Sequence, residues 1–246
     1  MKVKVIDADG FSYIFRTLEE FIDEVTLDFS QEGLKIKGID PSRVVFIDIL
    51  IPPGFFEEFN VEKEEKIGIK LEDLTDVLKT AKKTDTLYLE TDENQNIKIT
   101  LDGEYERTFS FPSITTSELE APNLNLEFPF RAKALTVSFT EIIDELDDIG
   151  GDSVTFKAQG GKLYITANSD LGNATIELST ENGGLLESEG GDAESTYGLE
   201  YIVNTSKMRK PSDTVEIAFG SQIPLKLRYN LPQGGYADFY IAPRAE

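Results

Sequence analysis

Shifting the sequence by 128 residues lays like on like, and this internal repeat limits the possible folds more than any other feature. Ile14 falls on Ile142, Gly33 on Gly161, Leu71 on Leu199 and Lys79 on Lys207. The same shift carries Leu87, Leu89, Ile97 and Ile99 onto Val215, Ile217, Leu225 and Leu227. One offset that holds over most of a half-chain, without a large insertion, means two copies of one domain. A fainter shift of 63 residues inside the first copy places Phe11 on Leu74, Ile14 on Val77, Leu34 on Ile97 and Ile36 on Ile99, which divides each domain into two modules.

Each module reads as a strand, a helix and three strands. In the first, Val3 and Val5 alternate with polar residues, and Phe11, Ile14, Leu18 and Phe21/Ile22 then recur at helical spacing. Strands follow at Val25–Phe29, Leu34–Gly38 and Val44–Ile51, the first two joined by a turn at Ser30–Gly33. The second module has a helix through Leu71, Leu74, Val77/Leu78 and Ala81, then strands near Leu87–Glu90, Ile97–Leu101 and Glu104–Phe111. The remaining helices are expected near Ser138–Asp148 and Glu200–Arg209. Short helices with one apolar stripe must cover a sheet, and hairpins make that sheet antiparallel, so the class is α+β. The expected domains are residues 1–113 and 128–246, with a connector at 114–127 that is polar yet carries Ile114, Leu119 and Leu124.

Composition removes most chemistry. There are 24 Lys and Arg against 46 Asp and Glu, a formal charge of −22, which argues against a protein that wraps a basic surface around phosphate. Histidine and cysteine are both absent, so the usual general base, every thiolate and all His/Cys metal sites are missing. Asp92-Glu93-Asn94-Gln95-Asn96 starts like a calcium loop, but Ile97 stands where that loop needs glycine and Gly103 where it needs glutamate. Gly160-Gly161-Lys162 lacks the partners of a phosphate loop and reads as a β-turn. The acidic run Glu141, Asp144, Glu145, Asp147, Asp148 and Asp152 flanks the stripe Ile142/Ile143/Leu146/Ile149, as a solvated helix face does. No catalytic residue, cofactor or metal is therefore expected, and the chain is not an enzyme. Met1–Asp7 lacks an apolar core, and Asp48 and Pro52-Pro53 interrupt the longest apolar run, so no membrane and a cytoplasmic location are expected.

The cations are few but placed. Arg16, Lys79, Lys82, Lys83, Lys207, Arg209 and Lys210 all fall on the four expected helices or just past their ends, with lysine at equivalent positions in modules two and four. Lys79 precedes Lys82 and Lys83 by three and four residues, which predicts one shared helical face.

The stretch Gly33-Leu34-Lys35-Ile36-Lys37-Gly38-Ile39-Asp40-Pro41-Ser42-Arg43-Val44-Val45-Phe46-Ile47-Asp48 resembles the signature of the proliferating cell nuclear antigen (PCNA) sliding clamps, in its archaeal Asp-Pro-Ser-Arg-Val form. Phe239–Arg244 resembles the family's closing motif, and Ile223-Pro224-Leu225-Lys226-Leu227 also fits. Leu126–Phe130 and Tyr236–Ile241 resemble most closely one of the three paralogous subunits of a crenarchaeal heterotrimeric clamp.

The resemblance implies a trimeric ring, helices inside and sheets outside, that encircles double-stranded DNA without reading sequence. Such a ring serves as a processivity factor, tethering DNA polymerase, flap endonuclease and DNA ligase after a clamp loader places it, in archaeal cytoplasm at the nucleoid. It implies a DNA channel at Arg16, Lys79, Lys82, Lys83, Lys207, Arg209 and Lys210. It implies a pocket for PIP-box peptides at Ile39, Val44, Phe46, Leu119, Pro122, Leu126, Ile223, Pro224, Tyr240, Ile241, Ala242 and Pro243. Subunit contacts are implied along two edge strands, at Arg107, Phe109 and Phe111 and at Asn173, Thr175, Ile176 and Glu177, joining two further clamp subunits. Helix three departs from the pattern, offering Glu141, Asp144 and Asp148 where clamps often carry cations. An alternative consistent with that acidity is a clamp-like peptide-binding module that does not encircle DNA.

Overall fold

Elements recur in space at the interval of the sequence repeat. The computed structural model describes residues 1–117, 119, 121–122, 124–170 and 172–245, so Glu118, Glu120 and Asn123 of the expected connector lie outside the described residues. The first series is β1 (Lys2–Val5), α1 (Ala8–Leu18), β2 (Glu24–Ser30), β3 (Gly33–Ile39), β4 (Val45–Ile51), β5 (Glu58–Asn60), β6 (Glu65–Lys70), α2 (Leu71–Leu78), β7 (Thr86–Thr91), β8 (Ile97–Asp102) and β9 (Glu106–Phe111). The second is β10 (Phe130–Leu135), α3 (Thr136–Asp148), β11 (Ser153–Gln159), β12 (Lys162–Ser169), β13 (Gly172–Leu178), β14 (Glu187–Gly190), β15 (Ala193–Gly198), α4 (Leu199–Val203), β16 (Thr214–Phe219), β17 (Leu225–Asn230) and β18 (Tyr236–Ile241). Each element of the second series starts within two residues of the position 128 places after its counterpart. Strand register repeats too: Leu87 faces Leu101 and Leu89 faces Ile99, as Val215 faces Tyr229 and Ile217 faces Leu227.

Two compact units result. Unit 1 holds Met1–Pro41, Ile47–Ala121 and Leu231–Ala237, and unit 2 holds Ser42–Phe46, Pro122–Asn230 and Asp238–Glu246. Unit 1 contains the sheet β5-β1-β7-β8-β9 and the strand run β4-β3-β2-β6. Unit 2 contains the run β14-β10-β16-β17-β18 and the sheet β13-β12-β11-β15. The strand-helix-three-strand module is present four times, and β5 and β14 are additions that hydrophobic periodicity missed. β5 has three residues, and β14 reads Glu-Ser-Glu-Gly with no apolar side chain to signal it.

Alternation buries one face of most strands. Val25, Leu27 and Phe29 of β2 and Leu163, Ile165 and Ala167 of β12 point inward. The helices close over them with Phe11, Ile14, Phe15 and Leu18 of α1, Leu74 and Leu78 of α2, and Phe139, Ile143 and Leu146 of α3. In unit 2 an aromatic chain runs from Phe130 to Phe219 to Phe156 to Tyr197, with centroids 5.5–5.8 Å apart, each edge-to-face contact worth about 0.5–1.5 kcal/mol beyond burial.

Helix boundaries owe little to local signals. Among the described residues only α1 has a side-chain cap, Asp7 accepting from the Gly10 N–H at 2.9 Å. The first N–H of α2, α3 and α4 is instead taken by a distant carbonyl, that of Asp23, Asp213 and Asp152 respectively. Two expectations are corrected here. Helix α2 stops at Leu78, so Lys82 and Lys83 lie in the following loop and share no helical face with Lys79. Helix four does not run to Arg209 but ends at Val203, followed by a separate 3-10 turn at Ser206–Arg209. The break falls at Asn204-Thr205, poor helix formers, where the Thr205 hydroxyl bonds the Ile202 carbonyl at 2.7 Å and the buried Tyr229 hydroxyl at 2.6 Å. Burial raises the Tyr229 pKa well above the ordinary phenol range, so the pair stays neutral.

The start of the connector is fastened to unit 1. The Ile114 N–H donates to the Gly68 carbonyl at 2.9 Å, and Thr116 and Thr26 share a hydroxyl contact. A Cβ on Gly68 would lie 2.1 Å from the Ile114 oxygen. Gly68→Ala is therefore expected to release this segment and accelerate limited proteolysis within residues 114–127 several-fold, roughly the effect of losing one or two hydrogen bonds. Unchanged cleavage kinetics would show that the close approach is not what holds it.

Candidate functional site

The cations lie in or just after the ends of the helices, and Lys79, Lys82 and Arg209 have acidic neighbours. In unit 1 Arg16 ends α1 with its guanidinium 4.3 Å from the Tyr13 ring centre. Lys79 follows α2, its Nζ 3.4 Å from Glu19 Oε2 and 3.6 Å from Asp76 Oδ1. Lys82 reaches Glu104 at 3.6 Å and the Tyr105 ring at 5.6 Å, and Lys83 is exposed in the same loop. In unit 2 Lys207 and Arg209 lie in the 3-10 turn and Lys210 follows it. Arg209 Nη1 donates to Asp144 Oδ2 on α3 at 2.9 Å, so one acid of the third helix is matched by a cation of module four.

A buried carboxylate, invisible to motif reading, shapes the lysine loop. Asp85 is 2 % exposed, and its Oδ2 accepts the Lys82 N–H at 2.9 Å and the Arg107 guanidinium. Arg107 also donates from Nη1 to the Thr80 carbonyl at 3.1 Å. Loop 79–85 is thus tied to β9 through one aspartate. Nothing in the sequence signals it except a lone acid after a helix.

Apolar candidates gather in unit 2. The Ala242 N–H donates to the Val44 carbonyl at 2.8 Å, and the Phe46 and Tyr240 rings sit 5.9 Å apart. Tyr197, fully buried, donates its hydroxyl to the Ile223 carbonyl at 3.0 Å and bridges by backbone to Pro243. Burial pushes its pKa up to about 12, which keeps it a neutral donor. Tyr197 positions two of the candidate segments and was missed because its strand pattern reads as core. The turns delivering Val44 and Ile223 hold non-glycine residues in the left-handed region, Arg43 at φ 56° and Gln222 at φ 61°, a local strain typical of recognition loops. Val44, Ile223, Pro224, Tyr240, Ala242 and Pro243 are half-buried, Leu126 is half-buried and Pro122 exposed, whereas Phe46 and Ile241 are buried, Ile241 completely. Ile39 and Leu119 belong to unit 1, the first half-buried and the second 40 % exposed.

Both expected contact strands are sheet edges. β9 ends the sheet of unit 1 beyond β8, and β13 ends the four-stranded sheet of unit 2 beyond β12. Arg107, Phe109 and Phe111 share one half-buried face of β9. On β13 Asn173, Thr175 and Glu177 are exposed and Ile176 is half-buried. Glu177 takes a hydrogen bond from Lys162 at 2.8 Å, which holds its pKa below the usual carboxylate value. Arg107 and Glu177 therefore each have a partner within their own unit. Elsewhere, Asp92 spends its carboxylate on the N–H groups of Asn94 and Asn96 and on the Asn96 amide, as a hairpin turn requires. Among the described residues, no helix is long and apolar enough to cross a membrane.

Comparison with known proteins covers the whole chain. Residues 1–120 match the family model of the proliferating cell nuclear antigen N-terminal domain, and residues 125–244 match that of its C-terminal domain. The sequence is 84 % identical to DNA polymerase sliding clamp 3 of Sulfurisphaera tokodaii and 52 % identical to sliding clamp 2 of Saccharolobus solfataricus, in each case across 100 % of both chains. The fold superposes with a TM-score of 0.98 on a chain, 84 % identical, in the crystal structure of a PCNA2–PCNA3 complex from Sulfolobus tokodaii, covering 100 % of both chains. It superposes with a TM-score of 0.90 on PCNA from Thermococcus kodakaraensis, 32 % identical, over 99 % of each chain.

Proposed function

The chain belongs to the proliferating cell nuclear antigen family, and from that premise we propose how its own residues divide the work of a clamp. It is a DNA sliding clamp subunit and not an enzyme: in a trimeric ring with two other clamp subunits it encircles double-stranded DNA and tethers replication and repair enzymes through PIP-box peptides. The observation that carries this reading is the full-length likeness, in sequence and backbone, to a subunit of a PCNA2–PCNA3 complex. The working location that follows is the archaeal nucleoid, within the cytoplasm.

We assign DNA contact to Arg16, Lys79, Lys82 and Lys83 in unit 1 and to Lys207, Arg209 and Lys210 in unit 2. Topology holds a ring on DNA, so phosphate attraction needs only to be weak, and cations partly neutralised by Glu19, Asp76, Glu104 and Asp144 supply that. Peptide binding is assigned in unit 2 to the surface around Val44, Ile223, Pro224, Tyr240, Ala242 and Pro243, where Tyr197 fixes two segments and Phe46 and Ile241 form the floor. Clients of that surface are DNA polymerase, flap endonuclease, DNA ligase and the clamp loader. Ring closure is assigned to β9 and β13, sheet-edge strands whose unpaired backbone groups are free to pair with a neighbour's.

The test uses the assembled ring. This chain mixed with its two paralogues is expected to shift from a lower mass to a heterotrimer in light scattering. Loaded on nicked circular plasmid, the ring is expected to stay bound through gel filtration and to leave within minutes of linearisation. Retention on linear DNA would refute topological tethering, and a stable trimer of this chain alone would refute the heteromeric assignment.

A further inference from the structure

The two copies of the domain differ on the sheet face that their buried strand residues leave to solvent. In unit 1 Lys2, Glu90 and Lys98 stand side by side across β1, β7 and β8. Glu90 joins the two ammoniums, its Oε1 2.8 Å from Lys2 Nζ and its Oε2 3.3 Å from Lys98 Nζ. These contacts, the hydrogen bond from Lys2 foremost, hold the Glu90 pKa below its ordinary value. The same register in unit 2 aligns Arg131, Ala218 and Lys226 across β10, β16 and β17. The second copy thus keeps a cation on either side and has a methyl group where the first has a carboxylate.

A recess of about 330 Å³ opens at this place, with the nearly buried Ala218 between Arg131 and Lys226 in its lining. Arg131 is exposed, its guanidinium 5.7 Å from the Phe128 ring centre, and among the described residues no carboxylate lies within ion-pair distance of it. Lys133 is likewise without one among the described residues, whereas its counterpart Lys4 in unit 1 pairs with Glu57 at 2.7 Å. Lys226 reaches the buried Asp238 at 3.3 Å, and Arg228 donates to both oxygens of that aspartate at 2.7 Å. The carboxylates of the lining are Glu187 and Glu189 on the edge strand β14 and Glu216 on β16, all exposed.

We propose that this recess takes a carboxylate side chain from a partner protein, seated over Ala218 between Arg131 and Lys226 where unit 1 seats its own Glu90. Unit 1 supplies the chemistry of the ligand, a single carboxylate whose two oxygens each meet one cation. The exposed glutamates narrow the class further. They repel a polyanion such as a nucleic-acid backbone, whereas an aspartate or glutamate flanked by lysine or arginine on the partner meets opposite charge at the centre and at the rim. No residue of the peptide surface assigned above lines the recess, so the two contacts are separable.

Nuclear magnetic resonance titration of the labelled full chain is done with two blocked tripeptides, Lys-Glu-Lys and Lys-Gln-Lys, and with inorganic phosphate. Lys-Glu-Lys is expected to shift the amide signals of Arg131, Ala218 and Lys226 saturably and to bind about fivefold or more tighter than Lys-Gln-Lys, the advantage shrinking as salt rises. Phosphate is expected to bind more weakly than Lys-Glu-Lys. Ala218→Glu restores the internal carboxylate and is expected to abolish the response of Arg131 and Lys226. Arg131→Gln changes one exposed side chain and is expected to reduce Lys-Glu-Lys to the affinity of Lys-Gln-Lys, which decides the matter even where Ala218→Glu fails to fold. Lys226 is left intact because its ammonium lies 5.4 Å from the Tyr240 ring of the peptide surface. Glu90→Ala opens the matching place in unit 1 and is expected to add a second response at Lys2 and Lys98. Equal affinity for the two tripeptides, tighter binding of phosphate, or a preference for Lys-Glu-Lys that survives Arg131→Gln overturns the assignment.

Discussion

Rings carrying Lys79→Gln, Lys83→Glu and Lys207→Glu are expected to lose processive DNA synthesis while binding client peptides with unchanged affinity. Lys79 caps α2, Lys83 lies in the loop after it and Lys207 in the 3-10 turn after α4, and none belongs to the peptide surface. Each phosphate contact removed lowers the slope of log affinity against log salt by about 0.9, so the set is expected to reduce it by about 3. Polymerase run length on primed DNA is expected to fall about tenfold or more, because the reversed charges repel the duplex that the ring must centre. Glutamine is chosen at position 79 because a glutamate there would face Glu19 and Asp76 and confuse repulsion of DNA with loss of stability. Run length and salt slope equal to those of the unmodified ring would sink the channel assignment. Loss of peptide binding alongside processivity would point to misfolding instead.

Removing the Asp85 carboxylate is expected to be the most damaging single change to stability. Asp85→Ala strips the acceptor from the Lys82 N–H and from Arg107, whose side chain is only 18 % exposed. Leaving a largely buried guanidinium without its counter-charge and a loop N–H without a partner costs about 2–4 kcal/mol. In a chain of this length the melting temperature is expected to fall by about 5–12 °C. Adding Arg107→Met is expected to restore part of the loss, because the orphaned charge leaves with the arginine. Calorimetry on the isolated chain decides the matter: a fall of less than about 0.5 kcal/mol would show that water solvates Arg107 adequately, and that Asp85 does not hold the loop. Asp85→Ala is also expected to weaken DNA retention, since the loop it holds carries Lys82 and Lys83.

The repeat was legible because the two copies kept both apolar spacing and length, so strand registers such as Leu89 with Ile99 and Ile217 with Leu227 correspond one to one. The edge character of β9 and β13 was legible from family resemblance and from short alternating segments. Helix ends were not. Lys70, Leu135 and Gly198 make no side-chain cap, and the helices after them begin where a carbonyl from elsewhere in the fold accepts their first N–H. For the same reason a lysine spacing of three and four residues suggested a shared face that the early end of α2 removes.

The sequence by itself determined the two-domain repeat, the strand-helix-three-strand module, the α+β class and the segments that carry clamp resemblance, because these depend on periodicity and on short runs of adjacent residues. The tertiary structure alone decided that Asp85 ties Arg107 to the lysine loop, that Asp144 offsets Arg209, that Tyr197 fixes Ile223, and that Ile241 faces the core while Tyr240 does not. Each of these depends on burial or on a partner tens of residues away. Charge and polarity acquire a role only when folding sets their distance and their exposure to water.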